Sequence, residues 1–226
     1  MPAFWYHEPM TLFLLLWSLL PGSSTLAAEE GDVLSASDGR GNMATVYNLF
    51  DGQRHSIQVT RMAANGTLLW SYPHSSGYAD KAYAVAMDAK AGIFVVGVRR
   101  YERQKSMLLI KFGENGSLMQ EFMDNRNDCT ALMVAVGGVD SRVAAAGTCR
   151  MGAEFPARVL GFDNDGRQLW YDEYEGGGRN YVRDLQVDYA GNTTVTVETV
   201  FGDYRDGSYT TRSVVYDTYG RRIQVR

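Results

Sequence analysis

Cysteine and histidine are scarce in this sequence, and both scarcities limit the chemistry open to it. Only two cysteines and three histidines occur among 226 residues. A zinc site needs three or four nitrogen, sulfur or oxygen ligands at fixed geometry, and no cluster with that spacing is visible. A Ser-His-Asp triad would have to centre on His74, and no nucleophile-elbow pattern supports one. We therefore predict no metal site, no cofactor and no catalytic residues.

An excess of basic residues is also lacking. The net charge is −4 and the pI about 5.4, which disfavours a nucleic-acid partner. Proline is rare, with five residues, whereas 24 glycines, 14 tyrosines, nine phenylalanines and four tryptophans favour β-structure with many turns. A hydrophobic content of 45% is ample for a core.

No apolar run is long enough to cross a membrane, which takes about 20 residues. The longest, Thr11–Leu20, is broken by Pro21-Gly22 and followed by small residues up to Ala27-Ala28. This pattern is typical of a signal peptide, although Met1–Met10 holds no Lys or Arg. We expect residues 1–28 to be a signal peptide, residues 29–226 to form the mature domain, and the protein to be periplasmic or secreted. A buried N-terminal apolar segment is the alternative.

A repeat organises the remainder of the chain. Gly66, Gly116, Gly166 and Gly220 each end a polar turn between two strand-like segments, and they lie 50, 50 and 54 residues apart. A second, independent marker keeps the same period in a different set of turns: Asp38, Asp88, Gly138 and Asp188. Hairpin chemistry recurring at about 50 residues is typical of a β-propeller.

Two kinds of hairpin alternate along the chain. The first kind has small apolar strands such as AVAMD and IFVVG, and the second carries Trp, Tyr and Phe. Pairing them predicts an all-β, propeller-like array of four four-stranded antiparallel blades. The apolar strands suit the crowded inner part of a blade, and the aromatic strands the wider outer gap between blades.

The segments GTLLW and GRQLW, followed by an apolar strand ending in Asp, a Gly turn and a strand such as IFVVG, resemble bacterial SBBP-type propeller repeats. NHL and quinoprotein-like propeller repeats are similar in general appearance. The resemblance covers about Val33–Arg226 and implies a propeller acting as a binding or scaffolding module. The third unit departs from it, and four blades are fewer than the six to eight usual in such families.

Cys129 and Cys149 lie symmetrically about Val139, in the middle of a predicted turn. If this hairpin pairs residues whose numbers sum to 278, the two cysteines face each other within disulfide range. Export favours a disulfide, and a reducing compartment would leave two buried thiols.

The longer connections join the second and third strands of each unit, or one unit to the next, and all should emerge on one face of a propeller. Connections freed from hairpin geometry are where recognition usually occurs. We expect three arginines of one unit, Arg99, Arg100 and Arg103, to lie on this face near Asp172, Glu173 and Tyr174 of another unit. The candidate binding residues are Arg99, Arg100, Tyr101, Arg103, Arg150, Tyr174, Arg179, Tyr204 and Arg205. For any single one of these residues, a solvent-exposed position with no binding role is at least as good an interpretation.

Three functions remain open. The first is an exported, non-enzymatic module that binds a protein or glycan through the face with long connections. The second is a propeller enzyme of the quinoprotein or hydrolase type. The third is a half-propeller that assembles either with another copy of itself, as a homodimer, or with a different chain.

Overall fold

A computed structural model describes residues 33–102, 104–126, 128–202 and 207–226 of the chain. Throughout these ranges the regular structure is β-strand, arranged as four four-stranded antiparallel sheets in sequential strand order. The predicted all-β array of four blades is confirmed. The predicted signal peptide, residues 1–28, lies outside the described residues.

The four blades follow one another along the chain, and each is a meander of four strands. Blade 1 holds β1 to β4, which are Val33–Ser37, Met43–Phe50, His55–Met62 and Leu68–His74. Blade 2 holds β5 to β8, which are Ala79–Met87, Ile93–Tyr101, Gln104–Phe112 and Leu118–Asp124. Blade 3 holds β9 to β12, which are Asp128–Gly137, Arg142–Arg150, Ala157–Phe162 and Gln168–Tyr174. Blade 4 holds β13 to β16, which are Arg179–Val187, Thr193–Phe201, Ser208–Tyr216 and Arg222–Val225.

Tight turns at one end of each blade explain the two sequence markers. The Asp88 carboxylate accepts hydrogen bonds from the backbone N–H groups of Lys90 and Gly92, at 2.8 and 2.7 Å, and so closes its own turn. Gly66, Gly116, Gly166 and Gly220 all have φ between 81° and 83°, a conformation that glycine adopts without steric cost. We call the end of the array that carries these turns the turn face.

The apolar core is divided among the junctions between blades. Within the described ranges, buried apolar side chains form three clusters, one between blades 1 and 2, one between blades 2 and 3, and one between blades 3 and 4. The first strands β1, β5, β9 and β13 pack side by side in that order, as the small apolar strands predict. Over the same ranges no comparable packing joins β13 to β1.

Each junction is also closed at the turn face. Glu114, in the last turn of blade 2, accepts hydrogen bonds through its carbonyl from Trp70 Nε1 at 2.8 Å and Arg61 Nη1 at 2.7 Å, both in blade 1. Lys111 of blade 2 donates in the same way to the Asn164 carbonyl of blade 3. The last turns of blades 2 and 3 therefore sit on the blade before them. In the last turn of blade 4, Gly220 approaches Trp170 of blade 3 so closely that a Cβ would lie 2.5 Å from its ring.

The two outer faces of the array are polar at positions where the interior faces are apolar. Val85, Val95 and Ile110 of blade 2 are buried against blade 1, but the matching positions of blade 1 are Ser35, Thr45 and Thr60. At the other end, Thr194, Thr196 and Ser213 of blade 4 match Ala144, Ala146 and Val159 of blade 3. Five of these six hydroxyl residues are exposed or partly exposed, and Thr45 is buried. The end blades thus have polar outer faces, as terminal repeats of an array commonly do.

Several strands extend further than their sequence pattern indicates. β6 continues to Tyr101 and β7 begins at Gln104, so the predicted connection Arg99–Ser106 is reduced to two residues. Ladder hydrogen bonds to the neighbouring strand stabilise these added residues, although their side chains are polar. No helix in the described part of the chain has the length and apolar character needed to span a membrane.

Candidate functional site

The end of the array opposite the turn face carries the connections between β2 and β3, β6 and β7, β10 and β11, and β14 and β15, together with the links between blades. We call it the connection face. Arg54, between β2 and β3, donates from Nη1 to the carbonyl of Gly77, in the link from blade 1 to blade 2, at 2.5 Å. Likewise the Asn180 backbone N–H donates to the Phe155 carbonyl at 3.0 Å. The two sets of connections therefore meet on one face, as predicted.

Near this face, a side-chain pair joins the first two strands in each of blades 2, 3 and 4. The pair occupies the same cross-strand position in all three blades, but the type of interaction differs. In blade 2 the pair is Asp80 and Arg99, which form an ion pair. In blade 3 it is Cys129 and Cys149, which form a disulfide with their Cα atoms 4.0 Å apart. In blade 4 it is Asn180 and Thr199, joined by a hydrogen bond of 2.7 Å. The predicted disulfide is confirmed.

Arg99 is the centre of a buried charged network at the junction of blades 1 and 2. Its Nε and Nη2 donate to the two oxygens of Asp80, both at 2.7 Å, and its Nη1 donates to Glu121 Oε1 at 2.6 Å. The Nε2 atom of His74 lies 3.2 Å from Asp80 and 3.3 Å from Glu121. Because the Arg99 side chain is only 5% exposed, this two-pronged pair fixes it rigidly.

The electrostatics of this network keep it ionised. Burial alone would raise the pKa of Asp80, but hydrogen bonds from Arg99 and His74 lower that pKa to about 2. Burial would lower the pKa of the Arg99 guanidinium, and its hydrogen bonds to Asp80 and Glu121 raise that pKa instead. The pair therefore stays charged throughout the physiological range.

An arginine also meets the last strand of the preceding blade at the other two junctions. His74, Asp124 and Tyr174 each end the fourth strand of a blade, 50 residues apart, and all three are buried. Arg99 Nη2 lies 3.3 Å from His74 Nε2, and Arg158 Nη1 donates to Asp124 at 2.5 Å. The Arg222 guanidinium lies 5.8 Å from the Tyr174 ring centroid. These arginines join one blade to the next.

Exposed aromatic side chains lie above the Arg99 network. Tyr78 is 44% exposed and Tyr101 is 53% exposed, and their rings meet edge to face with centroids 5.1 Å apart. The Arg99 guanidinium lies 5.8 Å from the Tyr78 ring centroid. On the blade 1 side, Phe50 is exposed and its ring lies 4.8 Å from that of His55. We call Phe50, His55, Tyr78 and Tyr101 the aromatic junction.

The register of the strands places these four rings around one junction. The Asn48 side chain bridges to blade 2 through hydrogen bonds to the backbone N–H and carbonyl of Ala82, at 2.8 and 3.0 Å. Phe50 lies two residues beyond Asn48 toward the connection face, on the same side of its strand. Arg54 holds the neighbouring turn of blade 1 against Gly77, the residue before Tyr78.

The predicted binding residues divide into three groups. The side chains of Arg100, Tyr101, Arg150 and Arg179 are exposed, and Tyr101 alone of them belongs to the aromatic junction. The side chains of Arg99 and Tyr174 are buried. All six of these residues lie in strands and not in the predicted connections: Arg99, Arg100 and Tyr101 in β6, Arg150 in β10, Tyr174 in β12 and Arg179 in β13. Arg103, Tyr204 and Arg205 lie outside the described residues. The expected approach of Arg99 to Asp172 and Glu173 is wrong, because Asp172 pairs with Arg222 and Glu173 with Arg158.

Sequence reasoning missed Phe50, His55 and Tyr78 as parts of a site, and His74, Asp80 and Glu121 as partners of Arg99. One signal could have found His74: it shares the 50-residue spacing with Asp124 and Tyr174. A second signal could have found Tyr78: it lies opposite Tyr101, one position beyond the Ala79–Arg100 pair of the β5–β6 hairpin.

An open depression also lies on the outer rim between blades 3 and 4, lined by Tyr171, Asp172, Glu173, Glu175 and Arg222. Two of its three carboxylates are already in ion pairs with Arg158 and Arg222. Across the described ranges no group of three or more histidine, cysteine, aspartate or glutamate side chains is arranged to hold a metal ion.

Comparisons with known proteins identify no family for this chain. No protein-family model matches the chain, and no curated protein matches it. Among solved structures, it is similar to a glycoside hydrolase family 32 β-fructofuranosidase from Bombyx mori, solved as a mutant in complex with sucrose. The TM-score is 0.43 and the identity 8%; the match covers 90% of this chain and 51% of the other. The resemblance to SBBP-type repeats stays a prediction.

Proposed function

We propose that this chain is an exported, non-enzymatic propeller module that binds a protein or glycan ligand through the connection face, with the aromatic junction at the centre of the binding surface. One observation carries the proposal: Tyr78 and Tyr101 are exposed, yet they rest on a buried ion-pair network that fixes Arg99 beneath them. Rigid aromatic side chains cost little entropy on binding and dominate many recognition surfaces.

The opposite end of the array offers less to a ligand. Its turns are closed by their own backbone hydrogen bonds, and those of blades 2, 3 and 4 are packed against the preceding blade. Its exposed aromatic residues, Tyr189 and Tyr219, are on separate turns of blade 4. The connection face therefore carries the concentrated aromatic surface that recognition requires.

The buried carboxylates support a binding role over an enzymatic one. Asp80 is bound on both oxygens by Arg99, and Asp124 is bound by Arg126 and Arg158. Carboxylates held in this way stabilise blade junctions and have depressed pKa values, unlike a general acid, whose pKa is raised toward neutrality.

The test uses arrays of immobilised oligosaccharides and peptides with three proteins: wild type, the Tyr78→Ala/Tyr101→Ala variant and Tyr189→Ala. We expect wild type to bind members of one array, Tyr189→Ala to bind them equally, and the double variant to lose that binding. Binding that survives in the double variant but is lost in Tyr189→Ala would show that the turn face is the binding surface.

Export is tested separately. The mature chain should begin near Glu29 in material recovered from the periplasm or medium, as determined by N-terminal sequencing. A chain with intact Met1 found in the cytosol would contradict export without affecting the assignment of the binding face.

A further inference from the structure

The aromatic junction combines flat apolar surfaces with balanced charge. Phe50 and His55 stand on the blade 1 side, and Tyr78 and Tyr101 on the blade 2 side. Between them lie two arginines, Arg54 and Arg99, and two carboxylates, Asp80 and Glu121. The formal charges of these four groups cancel, so together they do not favour a strongly anionic or a strongly cationic ligand.

These groups match the surface of a sugar ring. A pyranose presents a face of C–H groups that packs on an aromatic ring, and a rim of hydroxyl groups that both donate and accept hydrogen bonds. Glu121 is about one-third exposed and can accept from hydroxyl groups, while the exposed Arg54 can donate to them. Few side chains need to be ordered on binding, because Arg99 and the tyrosines are already held in place.

A protein ligand fits this surface less well. Protein interfaces are centred on a dry core that is enriched in Tyr and Arg but depleted of Asp, Glu and Lys, and a polar rim surrounds that core. Here the charged residues lie beneath and between the aromatic rings. A carbohydrate chain tolerates that mixture, because every sugar unit supplies both an apolar face and polar edges.

We propose that the aromatic junction binds an uncharged polysaccharide chain, with Tyr78 and Tyr101 stacking on its sugar rings and Glu121 and Arg54 hydrogen-bonding to its hydroxyl groups. This inference rests on the proposed function and narrows it to one ligand class. The junction of blades 3 and 4 lacks this feature, because the positions matching Tyr78 and Tyr101 there are Gly178 and Phe201.

Native electrophoresis through gels containing a soluble polysaccharide tests the proposal with the full chain. The neutral probes are amylose, xyloglucan and galactomannan, and the anionic probe is polygalacturonate. We expect retardation by at least one neutral probe, with an apparent Kd that rises roughly tenfold or more in Tyr101→Ala and Tyr78→Ala. Tyr189→Ala on the turn face should match wild type, and salt should change the Kd by less than about twofold.

Two control variants, Tyr101→Phe and Tyr78→Phe, keep the aromatic rings. They distinguish a loss of stacking from a folding defect in the alanine variants. If stacking carries the affinity, both phenylalanine variants retain most of the retardation. No retardation by any neutral probe, retardation by polygalacturonate alone, or an equal loss in Tyr189→Ala would each overturn the carbohydrate assignment. The proposed function would still stand if the tyrosine variants lost binding on the peptide array, and would fail if they bound every probe as wild type does.

Discussion

Arg99 and Asp80 lie directly opposite each other on β6 and β5, and two parallel hydrogen bonds of 2.7 Å join the guanidinium to the carboxylate. Both side chains are almost completely buried. The pair fastens two strands of blade 2 at the point where blade 1 and the aromatic junction meet it.

Replacing Arg99 should therefore damage the fold. Arg99→Ala leaves Asp80 charged and buried without its main partner, which we expect to cost about 3–5 kcal/mol of unfolding free energy. The matched control is Arg100→Ala, one residue further along β6, where the side chain is exposed and the cost should stay within about 0.5 kcal/mol. Urea unfolding measures both. Equal stability of the two variants would show that the ion pair contributes nothing to the fold.

The free energy of unfolding should decrease in acid, because protonation of Asp80 weakens its ion pair with Arg99. The pKa of Asp80 is about 2 in the folded protein and 3.8 as an unperturbed group. A depressed folded pKa gives stability that is complete above the unfolded pKa and is lost as pH falls from about 4 to about 2, amounting to about 2 kcal/mol. Asp124 shifts in the same direction.

Unfolding free energies of wild type and Asp80→Asn, measured between those pH values, check this contribution. The variant should be less stable near neutral pH and should show a shallower loss in acid. Parallel pH profiles for the two proteins would assign the acid sensitivity to other groups.

The disulfide of blade 3 should stabilise the native state. The bond between Cys129 and Cys149 closes a loop with a sequence separation of 20. In the chain-entropy model a loop of this size contributes about 3 kcal/mol. We expect Cys129→Ala/Cys149→Ala to lower the unfolding free energy by about that amount, and reductant to have no further effect on the variant. Two thiols titrating in unfolded, unreduced protein would refute the bond.

Substitutions at two equivalent glycines should distinguish the cost of backbone strain from the cost of a steric clash. Gly66 and Gly220 occupy the same position in their turns, with φ of 83° and 82°. A Cβ at Gly66 meets nothing within 4 Å, but a Cβ at Gly220 would lie 2.5 Å from the Trp170 ring. Gly66→Ala should cost about 1–2 kcal/mol from the left-handed conformation alone. Gly220→Ala should cost about 1–3 kcal/mol more, because Trp170 must move.

Thermal unfolding of the two variants gives this difference directly, with wild type as reference. Similar midpoints for Gly66→Ala and Gly220→Ala would mean that the last turn of blade 4 does not depend on its contact with Trp170.

The sequence predicted those parts of the structure that depend on nearby residues. Turn chemistry at Asn65-Gly66 and its repeats is local, so the hairpins and their 50-residue order could be read directly. The disulfide was also predictable, because Cys129 and Cys149 flank one hairpin symmetrically. A β-bulge between Ala146 and Gly147 shifts the register from a residue sum of 279 near the turn to 278 at the cysteines.

The site was less predictable because it depends both on side-chain pairs across the strands of blade 2 and on contacts between blades. Arg99 looked like a connection residue, since polar residues surround it in the sequence. Its strand continues because Asp80 and Glu121, 19 and 22 residues away, neutralise it inside the junction. The approach of Phe50 to the Tyr78 side of the junction depends on the register between blades 1 and 2, which no single hairpin specifies.

Three side-chain pairs join the first two strands of blades 2, 3 and 4 at one cross-strand position, and each pair responds differently to reductant and to acid. A reductant would open the bond between Cys129 and Cys149, and leave the other two pairs unchanged. Strong acid would discharge Asp80 and weaken blade 2, with no effect on a disulfide. The Asn180–Thr199 pair is uncharged and holds no sulfur bond, so blade 4 is insensitive to both at this position. At this cross-strand position a reductant therefore loosens blade 3 alone, and strong acid loosens blade 2 alone.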